Sequence, residues 1–391
     1  MMTGDPPPLE VRLPEALLVD FHWAADIPQG GQVRLRVPAE YSLLMESGPM
    51  ASEVLAIQRL ISLARVASIH TVWEISAWDS VSENPALYPL LSVLLALPRV
   101  KHSLEAMGSD TPLDISAART SALNHRLAKS AAFASDIVLC IEGVGTSVSA
   151  DLYNPSTLRL HPREYFESMA VDALTTNPPV GAAAQRVYEH ASLLGTILSE
   201  LIENSEMHGR LGADGRPILD AGVRGLLFRR VKLFLPSPKA LKGLPKIQEV
   251  NCFEASIFDS GIGYFTSYTR DPLTPNTDLK FEWQVLHNCL ERHYHPELLD
   301  SRPSHRGLGL YEVLRALQAL KGRIEFRTGR LYAYRTFLDG ELQAQMRPKA
   351  PFAHLAWPEP RLLDVDKKYL ALPTEHEKLV GTSVRILVPL D

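Results

Sequence analysis

Residues 200–209 read ELIENSEMHG and close a stretch that begins at Ala182. Its apolar residues Leu193, Leu194, Ile197, Leu198, Leu201 and Ile202 recur at helical spacing, which predicts a long helix with one core-facing stripe. Glu200, Asn204 and His208 follow one another every four residues, so they stack along one side of that helix, and Gly209 ends it. A carboxylate, a carboxamide and an imidazole in one row can orient water, hold a hard cation and touch phosphate. A solvated polar face has the same spacing, so the row acquires meaning only from its companions.

Three companions follow in order. Residues 252–263 read CFEASIFDSGIG. Phe253, Ala255 and Ile257 alternate with Glu254 and Ser256 as in a strand. That strand ends on Asp259, and Gly261 and Gly263 follow, where the backbone can approach a ligand closely while the carboxylate accepts a hydrogen bond. Residues 305–321 read HRGLGLYEVLRALQALK: Gly307 and Gly309 feed a helix carrying Leu310, Val313, Leu314, Leu317 and Leu320. The free amides and positive dipole at such a helix start attract anions, with His305 and Arg306 as further donors. Residues 323–328 return as a strand after Gly322. Gly381 and Thr382 then open a last strand in which Val384, Ile386 and Val388 alternate before Pro389.

In this order, the four segments resemble the N, G1 and G2 boxes and the terminal Gly-Thr of the GHKL ATPase superfamily. That group includes gyrase, MutL, a heat-shock chaperone, and the sensor and anti-sigma-factor kinases. The resemblance covers residues 182–391 and implies a C-terminal Bergerat-type two-layer α/β sandwich. Its sheet is mixed, largely antiparallel, with helices on one face and ATP held beneath a mobile lid. By the same resemblance Asn204 holds the Mg²⁺ that bridges the phosphates, and Asp259 accepts from the adenine amino group with Thr382 beside it. Gly261 and Gly263 border the adenine and the lid hinge. Arg306, Gly307 and Gly309, with the amides of Leu308 and Leu310, meet the phosphates, and His208 completes the nucleotide-binding set. Glu200 occupies the general-base position; a carboxylate can take a proton from water or a hydroxyl, and a second Asn there could not.

Glu200 therefore points to an ATPase acting as a conformational switch that signals to a protein partner. Phosphotransfer to a protein Ser/Thr hydroxyl, as in anti-sigma kinases, is the alternative, and a non-catalytic nucleotide-gated binding module is the third. Among His70, His102, His125 and His190 none has the setting of a sensor kinase's phospho-accepting histidine. The chain departs from the family pattern in a Gly-rich loop at 210–217, in a long lid at 264–306 with its own helix, and in an insertion at 330–379. The insertion's Tyr332, Tyr334, Phe337, Phe352 and Trp357 suit a packed partner- or domain-docking surface. His287, Cys289, His293 and His295 in the lid read as a polar helix rather than a metal site.

The first half reads as a separate α/β domain over 13–178, behind a flexible Pro-rich tail at 1–12. Strands are expected at 32–37, 71–76 and 137–142, and helices at 50–66, 89–97 and 116–134. Their β–helix–β–helix order resembles a STAS-type regulatory module. Residues 174–180 read as a linker, with paired prolines after polar residues.

Composition sets the outer limits. The 391 residues accommodate two domains, and 40 Lys+Arg against 45 Asp+Glu leave no global basic character for nucleic acid. Cys140, Cys252 and Cys289 lie far apart without a CxxC, which fits a reducing compartment. No apolar run approaches the roughly 20 residues of a membrane span, and the N-terminal residues lack a signal-peptide pattern. The expectation is a cytoplasmic protein whose partners are ATP, Mg²⁺ and another protein, with a homodimer compatible with the family.

Overall fold

The computed structural model describes residues 8–18, 21–41, 53–106, 109–127, 135–141, 149–174, 182–212, 216, 222–236, 247–290, 309–338, 362–366 and 373–390. They form a mixed α/β fold around two sheets. The first sheet has the spatial order β1 (Leu9–Arg12), β2 (Gly31–Val37), β3 (Ala67–Trp73), β4 (Lys101–Ala106) and β5 (Ser109–Pro112). Its first four strands are parallel, and β5 folds back antiparallel on β4, so this sheet is mixed. The intervening helices are α1 (Glu15–Leu18), α2 (Glu53–Val66), α3 (Ile75–Glu83) and α4 (Pro89–Ala96), and α5 (Ser116–Asn124) follows β5.

The remaining elements are β6 (Ser135–Ile141), α6 (Arg163–Leu174), α7 (Ala182–His208), β7 (Val223–Pro236), β8 (Ile247–Asp259), α8 (Gly263–Thr269), α9 (Leu279–Leu290), α10 (Gly309–Ala319), β9 (Arg323–Gly329), β10 (Leu331–Thr336), β11 (Leu363–Asp364) and β12 (Leu379–Pro389). The second sheet runs β11-β10-β9-β12-β8-β7-β6, and every described pairing in it is antiparallel. The mixed sheet expected over 182–391 is thus an antiparallel one. β7 pairs with β8, and β9 with β10, as consecutive antiparallel strands, so no parallel crossover is needed between them.

Strand alternation divides this sheet into two faces. Phe253, Ala255 and Ile257 of β8, Ile324 and Phe326 of β9, and Val384, Ile386 and Val388 of β12 are buried with Leu194, Ile197, Leu198 and Leu201 of α7 and Val313, Leu314 and Leu317 of α10. The opposite face was expected to lack helices. Instead, Ile137, Leu139, Ile141, Val223, Leu227 and Phe258 share a core with α2, α4 and the inner residues Val33, Leu35 and Val37 of β2. The reason lies in composition. All eight residues of α4 are buried, as are ten of the fourteen in α2. Helices so enclosed need cover on more than one side, and the two sheets supply it.

Three boundaries move accordingly. β6 pairs with β7 rather than with the first-half strands, so residues 135–141 belong to the second sheet and the two halves meet in one core. Leu9–Arg12 is a strand pairing in parallel with β2, where a flexible tail was expected. β10 pairs along its full length with β9, which shortens the insertion from its start, and Tyr334 and Phe337 are buried. Phe352 and Trp357 lie outside the described residues. The outer part of the second face is ionic: Arg385 is held by Glu254 at 2.9 Å and by Glu325 at 3.4 Å, and Glu325 also binds Arg323 at 2.8 Å.

Candidate functional site

The last two turns of α7, the tips of β8 and β12 and the start of α8 enclose a cleft. It is lined by Leu201, Asn204, Ser205, His208, Ile257, Asp259, Gly263, Tyr264, Ser267, Thr382 and Val384. Asn204, His208, Asp259, Gly263 and Thr382, separated by up to 178 positions in sequence, thus face one space. The cleft is narrow, with about 30 Å³ of unfilled interior, room for about two water molecules.

Close backbone approach builds this place. α7 ends at His208, and the Gly209 amide still bonds to the Ser205 carbonyl at 2.7 Å. A Cβ at Gly209 would stand 2.6 Å from Cβ of Asp259, and one at Gly261 would stand 2.6 Å from Cα of Gly209. The DSG turn is therefore pressed against the helix end at a distance only glycine tolerates. Gly381 has φ +75°, and a Cβ there would lie 1.9 Å from the Asp259 carbonyl oxygen. This draws β12 tightly over the tip of β8, where Thr382 and Asp259 are register partners.

Asp259 is 8% exposed. Burial pushes its carboxyl up to about 6, against the amides of Gly261 and Thr382 and the charge of Arg224, which favour ionisation. The Gly261 amide donates to Oδ1 at 2.8 Å. Arg224, the register partner of Asp259 on β7, is committed to Glu206 and Tyr153. Burial raises the Glu206 carboxyl, but Arg224, Tyr153 and Arg210 outweigh it and hold Glu206 below the ordinary range.

Glu200 sits one turn before Asn204 and is half-buried. It lies against the first residue of α10: a Cβ on Gly309 would stand 2.3 Å from Glu200 Oε2 and 3.8 Å from Asn204 Nδ2. The start of α10 therefore faces the Glu200–Asn204 row. Leu310 turns its side chain into the core and leaves its backbone at that helix start. Arg306, Gly307 and Leu308 lie outside the described residues.

Sequence reasoning passed over several neighbours. Thr328, at the end of β9, accepts from the Tyr264 amide at 3.3 Å and meets Thr382 Oγ1 at 3.3 Å. Ser267 of α8 meets His208 Nδ1 at 2.7 Å and ties α8 to α7. Gln58 and Ser62 reach the same loops from behind. The available signals were the terminal Thr328-Gly329 of β9 and the polar residues within the apolar pattern of α2.

Asn204 with an acidic neighbour suits Mg²⁺, which takes few protein oxygens and completes its shell from phosphate and water. On α9, His287 is engaged at both ring nitrogens, with the Trp283 carbonyl at 3.0 Å and the Leu362 amide at 3.3 Å. His293 and His295 lie outside the described residues. Asp364, Asp366 and His376 also place possible ligand atoms within 4.8 Å of one another. Both Asp364 oxygens already accept backbone amides, from Asp366 at 3.0 Å and Thr374 at 2.7 Å, which is the bonding of a turn clamp. No helix among the described residues is long and apolar enough to cross a membrane. No protein-family model, no curated protein and no solved structure matches the chain.

Proposed function

We propose that the cleft binds Mg-ATP and that the chain is an ATP-hydrolysing conformational switch of the GHKL type, acting on a protein partner. The supporting observation is convergence. Asn204, His208, Asp259, Gly263 and Thr382 line one cleft, and Gly309 lies against Glu200 and Asn204. The antiparallel sheet with α6, α7 and α10 on one face is compatible with a Bergerat-type layer pair.

On this reading the adenine amino group donates to Asp259, whose second oxygen stays fixed by Gly261. Entry of the base parts Tyr264 and Ser267 from α7, since the cleft as it stands is too narrow for a purine. Gly263, at φ +72°, allows the turn about which α8 swings. Asn204 would hold Mg²⁺, which when bound would neutralise phosphate charge. The amides at the start of α10 orient the terminal phosphate. Glu200 Oε2 accepts the proton of the attacking water as its oxygen bonds to the γ-phosphorus and ADP leaves with the β–γ bridging oxygen.

Calorimetric binding of a non-hydrolysable ATP analogue with Mg²⁺ tests the pocket; loss of binding in Asp259→Asn is expected. Glu200→Ala is expected to retain binding and lose turnover by about 100- to 10,000-fold. Unchanged turnover removes the assigned base. Labelled γ-phosphate appearing on protein rather than as free phosphate converts the reading to a kinase, and binding with no turnover converts it to a binding module.

A further inference from the structure

Three residues on one side of α2 reach the two loops that define the cleft. Gln58, Ser62 and Arg65 lie at i, i+4 and i+7, one stripe of the helix. The Gln58 amide donates to the Asp259 carbonyl at 3.0 Å and also to the Val380 carbonyl. Ser62 Oγ accepts from the Val380 amide at 2.9 Å and donates to the Gln58 carbonyl at 2.8 Å. Arg65 Nη2 donates to Ser260 Oγ at 3.2 Å, and that oxygen also accepts from the Val223 amide at 2.9 Å. Residues 259–260 and 380 are thus bound from behind, on the side away from the cleft, by a helix of the first half.

Core packing does not account for this stripe. Gln58 is 0% exposed, and its Oε1 is buried with no hydrogen-bond partner. A methionine would fill the same volume without stranding a polar oxygen, so the amide is retained at a cost to stability. What it provides is a fixed spacing between the β8 tip, which carries Asp259, and the β12 start, which carries Gly381 and Thr382. The Asp259 carbonyl is held between Gln58 on one side and Gly381 on the other.

We propose that α2 couples the first half of the chain to the nucleotide cleft, with Gln58 and Ser62 as positioning residues that set the Asp259–Thr382 spacing. The proposal rests on the nucleotide reading above. α2 also packs against the first sheet and is tied to α1 by Arg59, which donates to the Leu17 carbonyl at 2.7 Å. Anything that binds the first sheet and shifts α2 alters the cleft, and by linkage nucleotide binding stiffens α2 to the same extent. The first half is then the regulatory input of the switch.

The test uses the full chain with the ATP analogue and Mg²⁺. In wild type, nucleotide is expected to slow amide hydrogen exchange across residues 53–66. Gln58→Met and Ser62→Ala are expected to weaken nucleotide binding by about tenfold while keeping the wild-type circular dichroism. A purely structural role for these side chains predicts no nucleotide-dependent change of exchange in α2. If wild type binds nucleotide while exchange in α2 stays constant and both variants bind equally well, the coupling is refuted. Should Gln58→Met not fold, Ser62→Ala and the wild-type exchange decide. Absence of nucleotide binding in wild type instead overturns the nucleotide reading, and the coupling with it.

Discussion

Replacing Asp259 with asparagine should make this protein more stable, by an amount that depends on pH. The carboxyl titrates at about 6 in the folded chain against an ordinary 3.8, with burial as the leading cause. At about 1.4 kcal/mol per tenfold change in proton affinity, holding the ionised form costs the fold about 3 kcal/mol. The sign follows from proton counting. Between pH 4 and 6 the folded protein retains a proton that the unfolded chain has released, so stability falls as pH rises through that window. Below it both states are protonated and the cost vanishes; above it the cost is constant. Asp259→Asn removes the charge and leaves a single acceptor oxygen for the amides of Gly261 and Thr382. The variant should therefore match wild type near pH 4 and exceed it by about 3 kcal/mol above pH 7. Equilibrium denaturant unfolding of both proteins at one-unit steps from pH 4 to 8 measures the difference, and titrations common to both cancel. A variant less stable at every pH, or a gain that ignores pH, refutes the electrostatic account of this site. The functional corollary is opposite in direction. A base that donates to Asp259 is held more strongly by the ionised form, so nucleotide affinity should rise as pH passes through about 6 and be lost in the variant.

Two glycines give sharper geometric checks. Gly381→Ala places a Cβ 1.9 Å from the Asp259 carbonyl at a φ of +75°; it should lower the unfolding free energy by more than about 2 kcal/mol, readable as a fall in melting temperature. Gly309→Ala meets only the end of a flexible side chain, Glu200 Oε2 at 2.3 Å. It should fold normally, displace that carboxylate and reduce ATP turnover by at least about tenfold, with nucleotide affinity changing much less.

Local order was legible in the sequence because local period encodes it. Alternation in 252–259 and 382–388 gave β8 and β12, and the stripe from Leu193 to Ile202 gave α7. The chemistry-bearing residues were legible for the same reason: they sit at element ends, where glycine and turn residues mark the chain. Glu200, Asn204 and His208 share a helix face through spacing alone. That Asp259 meets Thr382, or Gly309 meets Glu200, was expected from a resemblance, since no local pattern brings positions so distant together. The two-residue period of a strand marks its faces and says nothing of its neighbour, so β6 could have joined either sheet.

The polar stripe of α2 shows where local reading fails. By period, Val54, Ile57, Leu60 and Ile61 claim the core, and Gln58, Ser62 and Arg65 fall to the face ordinarily given to water. The sequence by itself determined that α2 is a helix with those two faces. Only the tertiary structure decided that both are covered, because a second sheet lies over the polar one and offers the carbonyls of Asp259 and Val380 in place of solvent.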